Sequence, residues 1–139
     1  MRSAVPVTSL LVALAAASPA AADGAPMPEH KITQSESYTM LEPMYATVLD
    51  GNRPRGLLMV AIGLDIPDAK LRSEATRALP LLRDAYIRNL MSYAWTHIRP
   101  WEQPDVVEIA SRLQTVTDNT LRRTGARVLL AQVASRRAQ

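Results

Sequence analysis

Cysteine is absent from this chain of 139 residues, so the protein has no disulfide framework, no thiolate nucleophile and no cysteine-based zinc site. Histidine is scarce, with His30 in a polar stretch and His97 ahead of a loop. We interpret His30 as a solvated side chain. We interpret His97 as structural, because no Ser, Asp or Glu stands at a recognisable motif spacing from it. The sequence therefore predicts no metal site and a fold that is stabilised by packing.

Patterns that carry catalysis are also missing. The chain shows no paired-carboxylate motif, no nucleophile with its base and no phosphate-binding loop. We therefore predict a protein that is not an enzyme, with no catalytic residue and no cofactor. The sequence leaves the binding residues unknown.

The excess of positive charge is small. Sixteen Lys and Arg stand against thirteen Asp and Glu, which gives a net charge of +3. The isoelectric point of 9.7 is high because all but two of the basic residues are arginines, whose pKa is very high. Aromatic residues make up only 4% of the chain and are not interleaved with the basic ones, as single-strand binding requires. We predict no nucleic-acid binding.

The first 22 residues resemble a signal peptide. Arg2 precedes an apolar stretch centred on residues 10–17, and small side chains stand before a predicted cleavage after Ala22. The alternative is an uncleaved membrane anchor, since residues 5–22 carry no charge. Export is the expectation in both cases.

Residues 23–37 show neither helical nor strand periodicity and contain glycine and two prolines, so we predict a flexible leader. Residues 38–139 then form one domain of ordinary size. No segment after residue 22 is apolar and long enough to span a membrane, so the domain is expected not to span one.

Two strand-like runs joined by a turn begin this domain. In the first, from Tyr38 to Leu49, apolar side chains alternate, and Pro43 predicts an edge position or a bulge because proline cannot donate to a ladder. A hairpin loop is predicted at residues 50–55. The second run, Leu57 to Leu64, is apolar at every position and therefore needs cover on both faces. Packing inside the chain is the simplest source of that cover, and a second protomer, a partner or the leader are the alternatives.

Helical spacing follows this hairpin. Residues 65–68 supply an acidic start, and Pro80 predicts a kink or a junction of two helices. A neighbouring apolar stripe at Ile87, Met91, Ala94 and Ile98 broadens the apolar face. The main stripe consists of Leu71, Ala75, Ala78, Leu79, Leu82, Tyr86, Leu90 and Tyr93.

The last part of the chain predicts a loop, a helix and a strand. Residues 99–104 form the loop, in which Trp101 is interpreted as a lid over the core. A helix runs from Asp105 to Gly125, with Arg122 and Arg123 in its last turn. A strand follows at residues 127–134, and Arg136 and Arg137 belong to a polar tail. The sequence thus predicts a small α+β domain of order ββααβ, an antiparallel sheet packed by helices.

Three sequence motifs in this order resemble the periplasmic domain of the FliL family, flagellar basal-body-associated proteins. Leu41-Glu42-Pro43-Met44 is similar to the family's Leu-Glu-Pro-Phe, and Leu58 to Asp65 is similar to its second strand. The third motif, Leu79-Pro80-Leu81-Leu82-Arg83-Asp84-Ala85, is similar to the family's Leu-Pro-x-Ile-Arg-Asp-Ala. The three motifs lie between residues 41 and 85, and the resemblance covers most of residues 38–139.

The resemblance implies a stomatin-like fold and a non-enzymatic role in motility, exerted in the periplasm at the flagellar basal body. The implied partners are flagellar stator and basal-body proteins, and the domain is implied to form a homo-oligomer arranged as a ring. Such a ring needs a heterologous interface, with two different faces on each protomer. The second strand and the edge next to Pro43 are the expected contact regions.

This chain departs from the family pattern in three places. Family members usually carry an uncleaved membrane helix and a long linker, where this chain has a cleavable-looking segment. The Ser-Lys-Thr-rich step after the long helix is replaced by residues 93–101, and Thr47 replaces an Asn. We therefore expect a divergent member, and the alternative is a free periplasmic module that binds an envelope partner without any flagellar role.

Overall fold

The structure is a computed structural model that describes residues 35–138. The predicted signal peptide and the leader up to residue 34 lie outside the described residues. The described part is an α+β domain with one antiparallel sheet of four strands and two helices, which confirms the predicted class at that level. Its elements, in chain order, are β1 (Tyr38–Met40), β2 (Met44–Asp50), β3 (Arg53–Asp65), α1 (Ala69–Thr96), α2 (Val106–Leu121) and β4 (Arg127–Arg137).

The long strand β3 is the centre of the sheet. β1 pairs with the end of β3 and β2 pairs with its beginning, while β4 pairs along most of β3. Since β4 occupies one edge of β3, β1 and β2 must share the other edge. The predicted first strand is therefore split at residues 41–43, and the expected edge position and break at Pro43 are confirmed.

The predicted hairpin between the first two runs is also confirmed. Asp50 pairs with Arg53 around a two-residue loop. Gly51 takes the first loop position with a φ of 61°, a conformation that suits glycine and is typical of a type II′ turn. The hairpin thus fixes the register of β2 on β3.

Both helices lie on one face of the sheet. α1 contacts β2, α2 contacts β4, and the two helices contact each other. Side chains of β2 and β3 alternate between the two faces of the sheet, as predicted. The apolar side chains on the face beneath the helices are almost completely buried. These are Met44, Ala46 and Val48 of β2 and Leu58, Val60, Ile62 and Leu64 of β3.

Helix α1 begins with the predicted acidic cap, since the Asp68 carboxylate accepts hydrogen bonds from the backbone N–H groups of Lys70 and Leu71. The predicted junction of two helices at Pro80 is wrong, because α1 continues through it. Pro80 and Thr76 are exposed, so water can satisfy the Thr76 carbonyl that loses its helical partner. The buried residues follow the predicted stripes: Leu71, Ala75, Leu82, Tyr86, Leu90, Tyr93 and Ala94.

Helix α2 begins at the predicted cap Asp105 but ends earlier than expected. Its last residue is Leu121, not a residue next to Gly125, and Arg122 adopts the left-handed conformation, with a φ of 54°, that ends the helix. Arg123 lies beyond the helix and pairs with Glu74 of α1 at 3.1 Å. The prediction that both arginines stand in the last helical turn is therefore wrong.

A buried hydrogen bond joins the two helices. The hydroxyls of Tyr86 and Thr117 lie 2.6 Å apart, and Thr117 donates to the Leu113 carbonyl, so Tyr86 is the donor of this pair. Burial raises the pKa of Tyr86 above its ordinary value of 10.0, and the negative charge of Asp118 adds to that shift. Tyr86 therefore stays protonated in the core.

Strand β4 is longer than predicted, because Arg136 and Arg137 pair with β3 and do not form a tail. Its beginning is held by Gln114 of α2. The Gln114 side chain donates to the Ala126 carbonyl at 2.7 Å and accepts from the Val128 N–H at 2.9 Å. The Gln114 amide thus takes the place of a neighbouring β-strand as the hydrogen-bond partner of the Ala126 carbonyl and the Val128 N–H.

Candidate protein-interaction surface

The face of the sheet that points away from the helices, here called the outer face, is only partly covered. The ring of Tyr38 lies over Gly63, and Ala61 is only 3% exposed, so one end of this face is closed by the chain itself. Towards the hairpin the cover ends, and Leu57 is 39% and Tyr45 54% exposed. The prediction that β3 needs cover on both faces is thus met over part of its length.

The open part of the outer face forms a shallow depression of about 350 Å³. Tyr45 and Leu57 lie beside Met59 of the same sheet, and Arg136 and Gln132 of β4 give it a polar margin. An apolar floor with a polar margin is typical of surfaces that bind another molecule.

Two of the three family-like motifs meet in space. Leu41 and Glu42, in the break between β1 and β2, line a depression of about 380 Å³ together with Leu79, Pro80 and Arg83 of α1. The Arg83 guanidinium lies 3.0 Å from the Glu42 carboxylate, and both side chains are substantially exposed. We call this depression, completed by Met40, the motif seam.

An exposed apolar side chain stands beside the ion pair of the motif seam, since Met40 is 60% exposed. Leu81 of α1 is 67% exposed but is not among the residues that line the seam. The pairing of Glu42 with Arg83 could not be predicted, because residues so distant along the chain give no local periodic signal. The edge next to Pro43 was expected to be a contact region, and the motif seam lies there.

A second apolar groove lies at the opposite edge of the sheet. It has a volume of about 480 Å³ and separates the first turns of α2 from the middle of β4. Val106 and Val107 of α2 are 49% and 75% exposed. The groove is lined by Val106, Val107, Ala110, Leu130, Ala131, Gln132 and Val133, and we call it the α2–β4 groove.

His97 belongs to a contact between the helices. Its ring stacks on Tyr93 with a centroid distance of 5.4 Å, and its Nε2 lies 3.1 Å from Arg112 Nη2. Arg112 donates from Nε to Glu108 at 2.9 Å and covers the Tyr93 ring. Burial, followed by the negative charge of Glu108, raises the pKa of Tyr93. These contacts hold the C-terminus of α1 against α2.

The interpretation of Trp101 as a lid over the core is wrong, since it is 57% exposed. Trp95, near the end of α1, is 50% exposed. His30, interpreted as a solvated side chain, lies outside the described residues. Within residues 35–138 no three His, Asp or Glu side chains are grouped as a metal site requires.

None of the helices in the described part of the chain combines the length and the apolar character needed to cross a membrane. Comparison of the sequence with protein-family models gives no match, and comparison with curated proteins gives none either.

Proposed function

We propose that this chain is a non-enzymatic, flagellar basal-body-associated protein that supports motility by contacting the stator or another motor protein in the periplasm. The observation that supports this role is the motif seam, where Leu41-Glu42 and Leu79-Pro80 of two family-like motifs lie together and the Glu42–Arg83 pair joins them. Motifs that were recognised separately in the sequence form one exposed surface.

The chemistry of the motif seam suits a reversible protein contact. Met40 offers exposed apolar area beside a charged pair, and a surface ion pair contributes only about 0–1 kcal/mol to folding. Loss of the Glu42–Arg83 pair would therefore leave the fold intact. Its main effect would fall on binding specificity, where complementary charge selects the partner.

The proposed homo-oligomer uses two different surfaces of each protomer. The motif seam lies at the β1–β2 edge and the α2–β4 groove lies at the β4 edge, so the two apolar surfaces are on opposite sides of β3. Surfaces on opposite edges suit the head-to-tail contact of a ring, in contrast to a two-fold dimer, which uses one surface twice. A stomatin-like arrangement, with the described α+β domain as its unit, is part of this proposal.

Motility of a deletion strain tests the main role. We expect filaments in normal number and a small swimming halo, restored when the gene is returned. Complementation with Glu42→Lys should give a small halo, because the new charge faces Arg83 across the motif seam. The matched control is Asp84→Lys, since Asp84 also pairs with an exposed arginine, Arg88, at 2.7 Å, but lies outside the seam. A full-size halo in the deletion strain would contradict the motility role.

The oligomer is tested on the purified protein. Met40→Glu on the motif seam and Val107→Glu on the α2–β4 groove should each weaken self-association, because each buries a charge in one half of the head-to-tail contact. An equimolar mixture of the two variants should form dimers but no larger oligomers, since each variant keeps one intact surface and only one contact can form between them. A protein that stays monomeric at high concentration, with and without stator fragments, would overturn the ring.

The alternative function is a free periplasmic module that binds an envelope partner. The observation in its favour is the open part of the outer face, where Tyr45, Leu57 and Met59 are left without helices above them. A normal halo together with an envelope-stress phenotype in the deletion strain, reproduced by Leu57→Glu, would support this alternative against the flagellar role.

A further inference from the structure

Arginines gather where β2 turns into β3 and β4 ends. Arg53 lies opposite Asp50 across the hairpin. Arg137 lies opposite Gly56 on the next strand, and the Ala138 N–H donates to the carbonyl of Arg55 at 2.8 Å. These backbone contacts place the arginines at the start of β3 beside those at the end of β4.

The loop after α1 reaches the same end of the domain. A polar depression of about 240 Å³ is lined by Asp50 and Gly51 of the hairpin on one side and by Trp95 and Arg99 on the other. Trp101 follows two residues later and is exposed, like Trp95. We call the whole surface the arginine–tryptophan end: Arg53, Arg55, Arg99, Arg136, Arg137, Trp95 and Trp101.

The positive excess of the chain is concentrated on this end. Its five arginines stand against Asp50, Glu102 and Asp105, an excess of +2 out of the net charge of +3 of the whole chain. Asp105 accepts hydrogen bonds from the backbone N–H groups of Val107 and Glu108 at the start of α2. The C-terminus of α1 and the N-terminus of α2 also meet here, so their opposite dipoles offset each other.

The five arginines at this end have no carboxylate within 4.0 Å among the described residues, and all are exposed. Elsewhere in the described residues four arginines have a carboxylate partner (Arg83, Arg88, Arg112 and Arg123) and four have none within 4.0 Å (Arg72, Arg77, Arg122 and Arg127). The charge at the arginine–tryptophan end is thus available to an external anion.

We propose that the arginine–tryptophan end docks reversibly on an anionic phospholipid surface. Tryptophan prefers the boundary between water and lipid, because its ring is apolar and its N–H needs a polar partner. Arginines next to such rings are attracted to anionic headgroups. Trp101 is 57% exposed and stands on a loop between Pro100 and Pro104, so its ring can reach a flat lipid surface. The proposal does not depend on a flagellar role.

Tryptophan fluorescence of the full chain tests this proposal directly, because Trp95 and Trp101 are the only two tryptophans in the sequence. The signal therefore reports on this end and not on the N-terminal segment. With vesicles that contain phosphatidylglycerol we expect a blue shift of the emission and quenching by brominated lipid, both weakened by salt. Vesicles of phosphatidylcholine alone should give much less of both. The single-tryptophan variants Trp95→Phe and Trp101→Phe should each keep part of the shift.

Two matched double variants distinguish the effect of where the charge lies from the effect of net charge on vesicle binding. Each arginine near an anionic surface changes the partition coefficient roughly fivefold, so Arg136→Gln with Arg137→Gln should weaken binding about 25-fold. Arg77→Gln with Arg127→Gln removes the same charge far from this end, and Arg127 stands at the opposite end of β4. It should change binding only slightly, and circular dichroism should show both variants folded.

Three results would overturn the proposal. The first is unchanged tryptophan emission with anionic vesicles, even if the protein sediments with them. The second is equal weakening by the two double variants. The third is a response to an acidic polypeptide such as polyglutamate without any response to vesicles, which would assign this end to a protein partner.

Discussion

The two faces of β3 have similar apolar side chains but different surroundings. Leu58 points to the helices and is completely buried, whereas its neighbour Leu57 points to the outer face and is 39% exposed. The strand is apolar at both positions, yet the domain has only two helices and both lie on one side. Apolar composition of a strand therefore shows that cover is needed, but not which element provides it.

The largest expected effect comes from truncating the same residue type on each face. Leu58→Ala should lower the free energy of unfolding by about 2–5 kcal/mol, because it leaves a cavity under α1 and α2. Leu57→Ala should lower it by less than about 1 kcal/mol, since Leu57 already contacts water. Denaturant unfolding of the two variants measures the difference, and equal losses would show that the outer face is covered in solution.

The closed end of the outer face gives the second prediction. A side chain at Gly63 would collide with the ring of Tyr38, so Gly63→Ala should destabilise the domain by about 1–3 kcal/mol. Adding Tyr38→Ala should recover part of this loss, because the ring that obstructs the new methyl group is gone. Additive losses in this double-mutant cycle would contradict the contact.

The third prediction concerns the helical side and its pH dependence. Tyr86→Phe should cost about 1 kcal/mol, since it removes the hydrogen bond to Thr117, which still donates to Leu113. The pKa of Tyr86 is raised in the folded protein, so above pH 10 the unfolded chain loses this proton first. Stability should therefore fall as the pH rises past 10, and less steeply in the variant. Tyr93, whose pKa is also raised, accounts for part of the remaining slope.

The smallest effect is expected at the most open position of the outer face. Tyr45 is 54% exposed, and Tyr45→Thr keeps a residue suited to a strand. The free energy of unfolding should change by no more than about 0.5 kcal/mol. A larger loss on thermal unfolding would mean that Tyr45 is packed against a part of the chain outside residues 35–138.

Features set by neighbouring residues could be predicted from the sequence. The alternation of Met44, Ala46 and Val48, the break at Pro43 and the cap at Asp68 each depend on a few adjacent positions. The hairpin at residues 50–53 is local in the same way.

Features set by distant partners could not be predicted. Arg136 and Arg137 looked like a tail because their pairing depends on the beginning of β3. Gln114 gave no signal of its role, since its partners at the start of β4 belong to a different element. Pro80 normally favours a break, but the stripe from Leu71 to Tyr93 packs on the sheet on both sides of it and keeps α1 in one piece.

The central position of β3 has a consequence for synthesis of the protein. β1 and β2 precede β3 closely and can pair with it as soon as the hairpin leaves the ribosome, but the other edge of β3 must wait until residues 127–137 have been made. During that interval an almost wholly apolar strand has an open edge, which is prone to pairing with other chains. Contacts between such distant segments also make folding slow. The nascent chain is therefore expected to need a chaperone until β4 has been made.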